Sequence, residues 1–206
     1  MLASWLLLIL GIGLLVFPAP HPASLFRREI PGPGMEGHNL IEMMKCWQNW
    51  VDLIRAGAGA WILTHFPLAI GSWFQGGVNR VALMAQMIIL TSGVIVQCIR
   101  FRREFRVVAF CFYLQGVTLA FSWPELGLFA VLAAWTLTFA RKNVDWLLPG
   151  LAVALALGGY LLQGVTMPVL FNTALVCVPW LLSILFFKPL LFLKRSNAFR
   201  RTSSAG

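Results

Sequence analysis

Residues 144–163 read VDWLLPGLAVALALGGYLLQ, and their reading decides the fold. The stretch carries one charged residue, Asp145, at its leading edge. Its length suits a helix that rises about 1.5 Å per residue across roughly 30 Å of hydrocarbon. Gly150, Ala154 and Gly158 recur at four-residue steps, with Ala152 and Ala156 beside them. Small side chains permit close backbone approach, so this helix is expected at the centre of a bundle or in an oligomer contact. Asn143 and Asp145 suit its start, where a short acceptor and a carboxylate answer free N–H groups.

Working outward, comparable apolar stretches lie at 2–17, 56–74, 81–99, 107–121, 126–140 and 168–187. Composition agrees: 59% of the residues are hydrophobic, 11% are charged, and the mean hydropathy is +0.81. That is far from the balance of a soluble domain. The expected fold is all-α, a polytopic bundle of seven transmembrane helices forming one domain over residues 1–206. The first stretch resembles the apolar core of a signal peptide, but no Lys or Arg precedes it, and it is read as an uncleaved helix. The stretch 56–74 contains His65, Pro67 and several glycines, so a re-entrant segment and a count of six spans stay open.

The basic residues orient the chain. With the N-terminus outside and the C-terminus inside, every Lys and Arg except Arg80 falls on the cytoplasmic side, as the positive-inside bias requires. The expected location is a bacterial inner membrane. The net charge of +9 is spread over loops and a tail at 188–206, which suits anionic lipid headgroups and not nucleic acid. Arg100, Arg102, Arg103, Arg106, Lys194 and Arg195 are the candidate lipid contacts. In the tail, Leu190 to Leu193 adjoin Lys194 and Arg195, a composition for the inner headgroup zone.

Between the first two stretches, Leu40, Met43, Met44, Trp47, Trp50, Val51 and Ile54 recur at helical spacing opposite Glu42, Lys45, Asn49, Asp52 and Arg55. The pattern predicts an amphipathic helix over about 39–55, lying at the cytoplasmic interface with its polar face toward water. Ser122-Trp123-Pro124-Glu125 reads as a capping box, with Ser122 as N-cap.

Polar residues within spans are costly in lipid and so are the candidates for function. Gln86, Gly93 and Gln97 share one face of the third span; Cys111, Gln115, Thr118 and Ser122 share one face of the fourth. Folding the two spans together predicts a hydrogen-bonded seam, which either glues helices or lines a polar cavity. His65, beside Pro67, and Asn172, a turn before Pro179, are further candidates, each better suited to a structural bond than to a ligand. The four cysteines show no metal spacing, and no catalytic set or phosphate loop is legible, so neither a metal nor a cofactor is expected. The favoured reading is a non-enzymatic accessory, assembly or scaffolding subunit, with a membrane protein or a second copy as partner. A small-solute or lipid transporter and a lipid-modifying enzyme are the alternatives.

Overall fold

Two glycines two positions apart decide how the first half of the chain packs. A computed structural model describes residues 2–16, 40–65, 80–101, 105–164, 166–187 and 190–192. In it, Gly57 and Gly59 lie roughly 200° apart around helix α3 (Trp47–His65). Gly59 faces helix α1 (Leu2–Val16), where a Cβ would stand 3.0 Å from the Gly11 carbonyl oxygen. Gly57 faces Gly116 of helix α5 (Cys111–Phe121), where a Cβ would stand 3.3 Å from the Gly116 carbonyl oxygen. Helix α3 is therefore held between α1 and α5, with main chain approaching main chain on both sides. A short helix α2 (Leu40–Met44) leads into it.

The second half is an antiparallel helical stack. Helix α6 (Pro124–Arg141) packs on α7 (Leu147–Gln163), which packs on α8 (Met167–Leu185). Gly150 admits the Ala134 backbone, Gly158 sits against Leu126 and Phe129 of α6, and Gly159 fits Val169 of α8. The glycines of α7 thus serve packing within the chain, while Ala156 is exposed. Asn143 accepts a hydrogen bond from the Asp145 amide at 3.0 Å, opening a 3-10 turn at Val144–Trp146 that runs into α7. Lys142 closes α6 in the left-handed conformation, with φ of 53°.

Helix α4 (Arg80–Cys98) continues into strand β1 (Ile99–Phe101), which pairs antiparallel with β2 (Phe105–Ala109). Strand β3 (Leu190–Phe192), arriving after α8, pairs parallel with β2, matching Val107 to Leu190 and Ala109 to Phe192. The helical class expected from the sequence holds, and this three-stranded sheet is an addition to it. The segment 190–192, read as a headgroup-zone tail, is a strand, and the rest of 188–206 lies outside the described residues.

Three further readings are corrected. The stretch 107–121 is not one helix: residues 107–109 belong to β2 and α5 begins at Cys111. Short runs rich in Val and Phe satisfy strand and helix equally by pattern, and here pairing with β1 and β3 decides. The interfacial helix expected over 39–55 and the span after it are not separate, because α3 runs unbroken through Arg55 and Ala56. Its polarity is also reversed at four positions of α3, although Met43 is buried and Lys45 exposed. Asn49 and Asp52 are 5% and 3% exposed, while Trp47 and Ile54 are 65% and 66% exposed. Finally, Ser122 caps the end of α5, and α6 starts after Trp123 without a side-chain cap. Pro124 at the first helical position has no N–H, so the first turn of α6 carries one unpaired donor fewer.

Among the described residues, two helical stretches, Val144–Gln163 and Met167–Leu185, are long and apolar enough to cross a membrane. Shorter apolar helices cover Trp5–Val16, Met84–Cys98 and Cys111–Phe121. Pro67 and residues 66–79 lie outside the described residues, so the re-entrant reading of 56–74 is described only as far as His65.

Candidate functional site

Buried polar groups gather at the two ends of α5, a helix whose residues Cys111 to Thr118 are all buried. At its first end, the closing turn of α1 is answered by side chains from two other helices. Gln97 Nε2 donates to the Leu15 and Val16 carbonyls, each at 3.2 Å, and Tyr113 donates its hydroxyl to Leu15 at 3.1 Å. Those carbonyls have no partner within their own helix, which explains why two polar side chains are buried there. Replacing Gln97 by Leu removes the side-chain donor from Val16 and is expected to cost about 1–3 kcal/mol. Thermal unfolding of the purified variant checks it, and a melting temperature equal to wild type would sink the assignment.

Beside this cap, Asn49 Nδ2 donates to the Met43 carbonyl at 2.8 Å and Trp50 Nε1 to the Met44 carbonyl at 2.7 Å, fixing α2 against α3. Asp52 and Arg55, one turn apart, form an ion pair at 3.5 Å, and the Arg55 guanidinium lies 5.8 Å from the Tyr113 ring centre. Trp50 packs edge-on against Phe112 and Trp135, and Trp135 Nε1 donates to Gln115 Oε1 at 3.0 Å. A recess with room for little more than a water molecule opens here, lined among others by Asn49, Asp52, Cys111 and Tyr113.

At the other end of α5, Asn172 Nδ2 donates to Ser122 Oγ, tying α8 to the α5–α6 junction. Gln86, on α4, donates to the Leu63 carbonyl of α3 at 2.7 Å. His65 is exposed at the close of α3, its Nδ1 within 3.1 Å of the Trp61 carbonyl oxygen and its ring stacked on Trp61 at 4.6 Å.

Among the described residues, therefore, no hydrogen bond joins the two polar stripes to each other. Gln86 and Gln97 reach α3 and α1, Gln115 reaches α6, and Ser122 reaches Asn172. Of the candidate side chains, only Ser122 and Asn172 are joined by a described hydrogen bond. Thr118 Oγ1 and Gln115 Nε2 are buried without a hydrogen-bond partner among the described residues. Arg100 and Arg106 stand opposite one another across β1 and β2. Arg102, Arg103, Lys194 and Arg195 lie outside the described residues.

Asn49 and Asp52 are the buried polar residues the sequence reading turned outward. Their signal was present, since 49, 52, 56, 60 and 63 follow one helical face that carries the small residues Ala56 and Ala60. Among the described residues no group of three or more His, Cys, Asp or Glu side chains is arranged to hold a metal. Cys46, Cys98 and Cys111 are buried free thiols, and Cys177 is half-buried. No family model matches this chain, and neither a curated protein nor a solved structure matches it.

Proposed function

We propose that the chain is a multi-pass protein of a bacterial inner membrane that serves as a non-enzymatic accessory or scaffolding subunit of a larger membrane complex. The observation that carries the membrane half of this reading is the inside-out face of α3: Asn49 and Asp52 are enclosed while Trp47, Ile54 and Trp61 form an exposed stripe at seven-residue steps. Water would select the reverse, and lipid or an apolar partner selects this. Large apolar side chains are likewise exposed on α1, α4, α7 and α8.

Seven crossings, N-out and C-in, fit the described contacts. The bonds of Gln97 to Leu15, and the packing of Trp50 on Trp135, gather the closing turns of α1, α4 and α6 with the opening turns of α3 and α5. That end also holds Lys45, Arg141 and Lys142, with Arg55 about two turns in along α3, while Arg80 begins α4 at the far end. Helix α5 spans only about 16 Å alone, but with three strand residues of β2 ahead of it the fourth crossing reaches roughly 26 Å. Non-helical backbone at that depth is tolerated where protein encloses it, and Val107 to Ala109 are buried.

The scaffolding half rests on how the buried polar groups are used. Gln86, Gln97, Tyr113 and Trp50 each hold a main-chain carbonyl of another segment. The recesses at the two ends of α5 have room for little more than a water molecule, far below a small-molecule site. The stripe of Trp47, Ile54 and Trp61 is the face offered to an apolar partner helix.

Gentle purification from the native membrane followed by mass spectrometry tests the role. A protein partner in fixed ratio is expected, and a lone chain carrying a solute that moves across the membrane in reconstituted vesicles would replace this reading with transport. Topology has its own test. A cysteine at position 80 is expected to react with an impermeant thiol reagent in intact cells, and one at position 142 only after permeabilisation; the opposite pattern would invert the bundle.

A further inference from the structure

The turn between α6 and α7 sets two exposed cations beside an exposed indole. Arg141 ends α6, and its guanidinium lies 5.0 Å from the Trp146 ring centre. Lys142 follows it, exposed and in the left-handed conformation. Asp145 is the only acidic residue of the turn, and its carboxylate accepts from Asn143 Nδ2 at 3.1 Å. Among the described residues neither Arg141 nor Lys142 has a carboxylate within ion-pair distance. The turn therefore presents positive charge that nothing described in the chain neutralises.

The chemistry of these groups defines what they can hold. A guanidinium over an aromatic ring keeps N–H donors for a further acceptor, and its fork matches the oxygens of a phosphate. The ring also restricts a long side chain, so less freedom is lost when an anion arrives. A zwitterionic headgroup brings its own ammonium toward the two cations, so a net negative one is favoured. Surroundings say what carries the phosphate. Trp146 is 41% exposed at the end of the bundle read as cytoplasmic, where indoles sit at headgroup level. Away from the turn, exposed apolar side chains continue along both helices, with Phe139 and Leu132 on α6 and Val153 and Leu157 on α7. A free anion gains nothing from those rows, whereas the acyl chains of a lipid can lie along them.

We propose that the α6–α7 turn binds the headgroup of an anionic phospholipid in the cytoplasmic leaflet. Arg141, carried on Trp146, donates to the phosphate oxygens, Lys142 adds the second positive charge, and the acyl chains follow the exposed rows of α6 and α7. The inference rests on the multi-pass reading with the C-terminus inside, and adds to it a lipid class and the residues that select it.

The test starts from carbonate-washed membranes of cells producing the full-length chain. If the chain is absent from them, the multi-pass reading and this inference fall together. The chain extracted from them is incubated in detergent with phosphatidylglycerol or with phosphatidylethanolamine of the same acyl chains, and bound lipid is read by native mass spectrometry. Phosphatidylglycerol is expected to be retained about fivefold or more over phosphatidylethanolamine. Arg141→Gln is expected to lower that preference about fivefold, the effect of one basic residue at a headgroup. Trp146→Ala changes no charge and is expected to lower it about two- to fivefold, with Trp146→Phe recovering most of the loss. Both positions are exposed, so these variants are expected to melt with the wild type, which separates loss of lipid from loss of fold. Arg80→Gln removes a charge at the far end and is expected to leave the preference unchanged. Equal retention of the two lipids by a chain found in the membrane overturns this inference alone. A preference that Trp146→Ala leaves intact, or that Arg80→Gln lowers as much as Arg141→Gln, also overturns it, because net charge and not this turn would then select the lipid.

Discussion

A single methyl group added at position 116 is expected to destabilise the protein by about 3 kcal/mol or more, the upper end of overpacking effects. A Cβ at Gly116 would overlap the Leu53 carbonyl oxygen and lie 3.0 Å from the Gly57 amide nitrogen. Both obstacles are main chain, so no rotamer change relieves them, and α3 and α5 must separate. Helix propensity favours alanine over glycine by about 1 kcal/mol, so the packing cost is larger than the measured difference. Gly13→Ala is the control, because nothing lies within 4 Å of its Cβ position and only the propensity gain applies. Thermal unfolding of the two variants side by side decides the matter. A Gly116→Ala protein that melts with Gly13→Ala would show that the α3–α5 approach is not as close as described.

Removing the Asp52 carboxylate is the second large effect. Asp52 is buried, Arg55 is half-buried and the two pair at 3.5 Å, so Asp52→Leu takes the carboxylate away from a largely enclosed guanidinium and is expected to cost about 3 kcal/mol. Replacing both residues by leucine removes the stranded charge together with its cause, and is expected to recover most of that loss. The double-mutant cycle measures the coupling directly. Losses from the two single changes that simply add in the double variant would show that the pair does not act as one unit.

The places where the sequence was legible, and where it was not, follow from what each signal depends on. Helices α6, α7 and α8 were readable because their apolar runs are long and bounded by strong local signals, Pro124 before one and Asn143 before another. Polar candidates such as Gln97 and Asn172 were found by composition alone, since an amide inside an apolar run stands out whatever its partner. Their partners were not readable. Gln97 reaches Leu15 across most of the first half of the chain, and no periodicity encodes that pairing. The face of α3 was misjudged because water was assumed to lie on its polar side. The assumption failed where Asn49 has the Met43 carbonyl to hold and Asp52 has Arg55. Gly116 shows the same limit: glycine announces that something approaches, and only the fold says that it is the backbone at Leu53.

The parallel pairing of β3 with β2 carries a consequence in time. Between Ala109 and Leu190 the ribosome must make α5, α6, α7 and α8 before the partner of β2 exists. At roughly 5–20 residues per second, one edge of the β1–β2 hairpin waits on the order of ten seconds during synthesis. An open strand edge is a template for any other extended chain nearby. The strand that covers β2 is thus made only after every helix of the second half, and until then that edge is open.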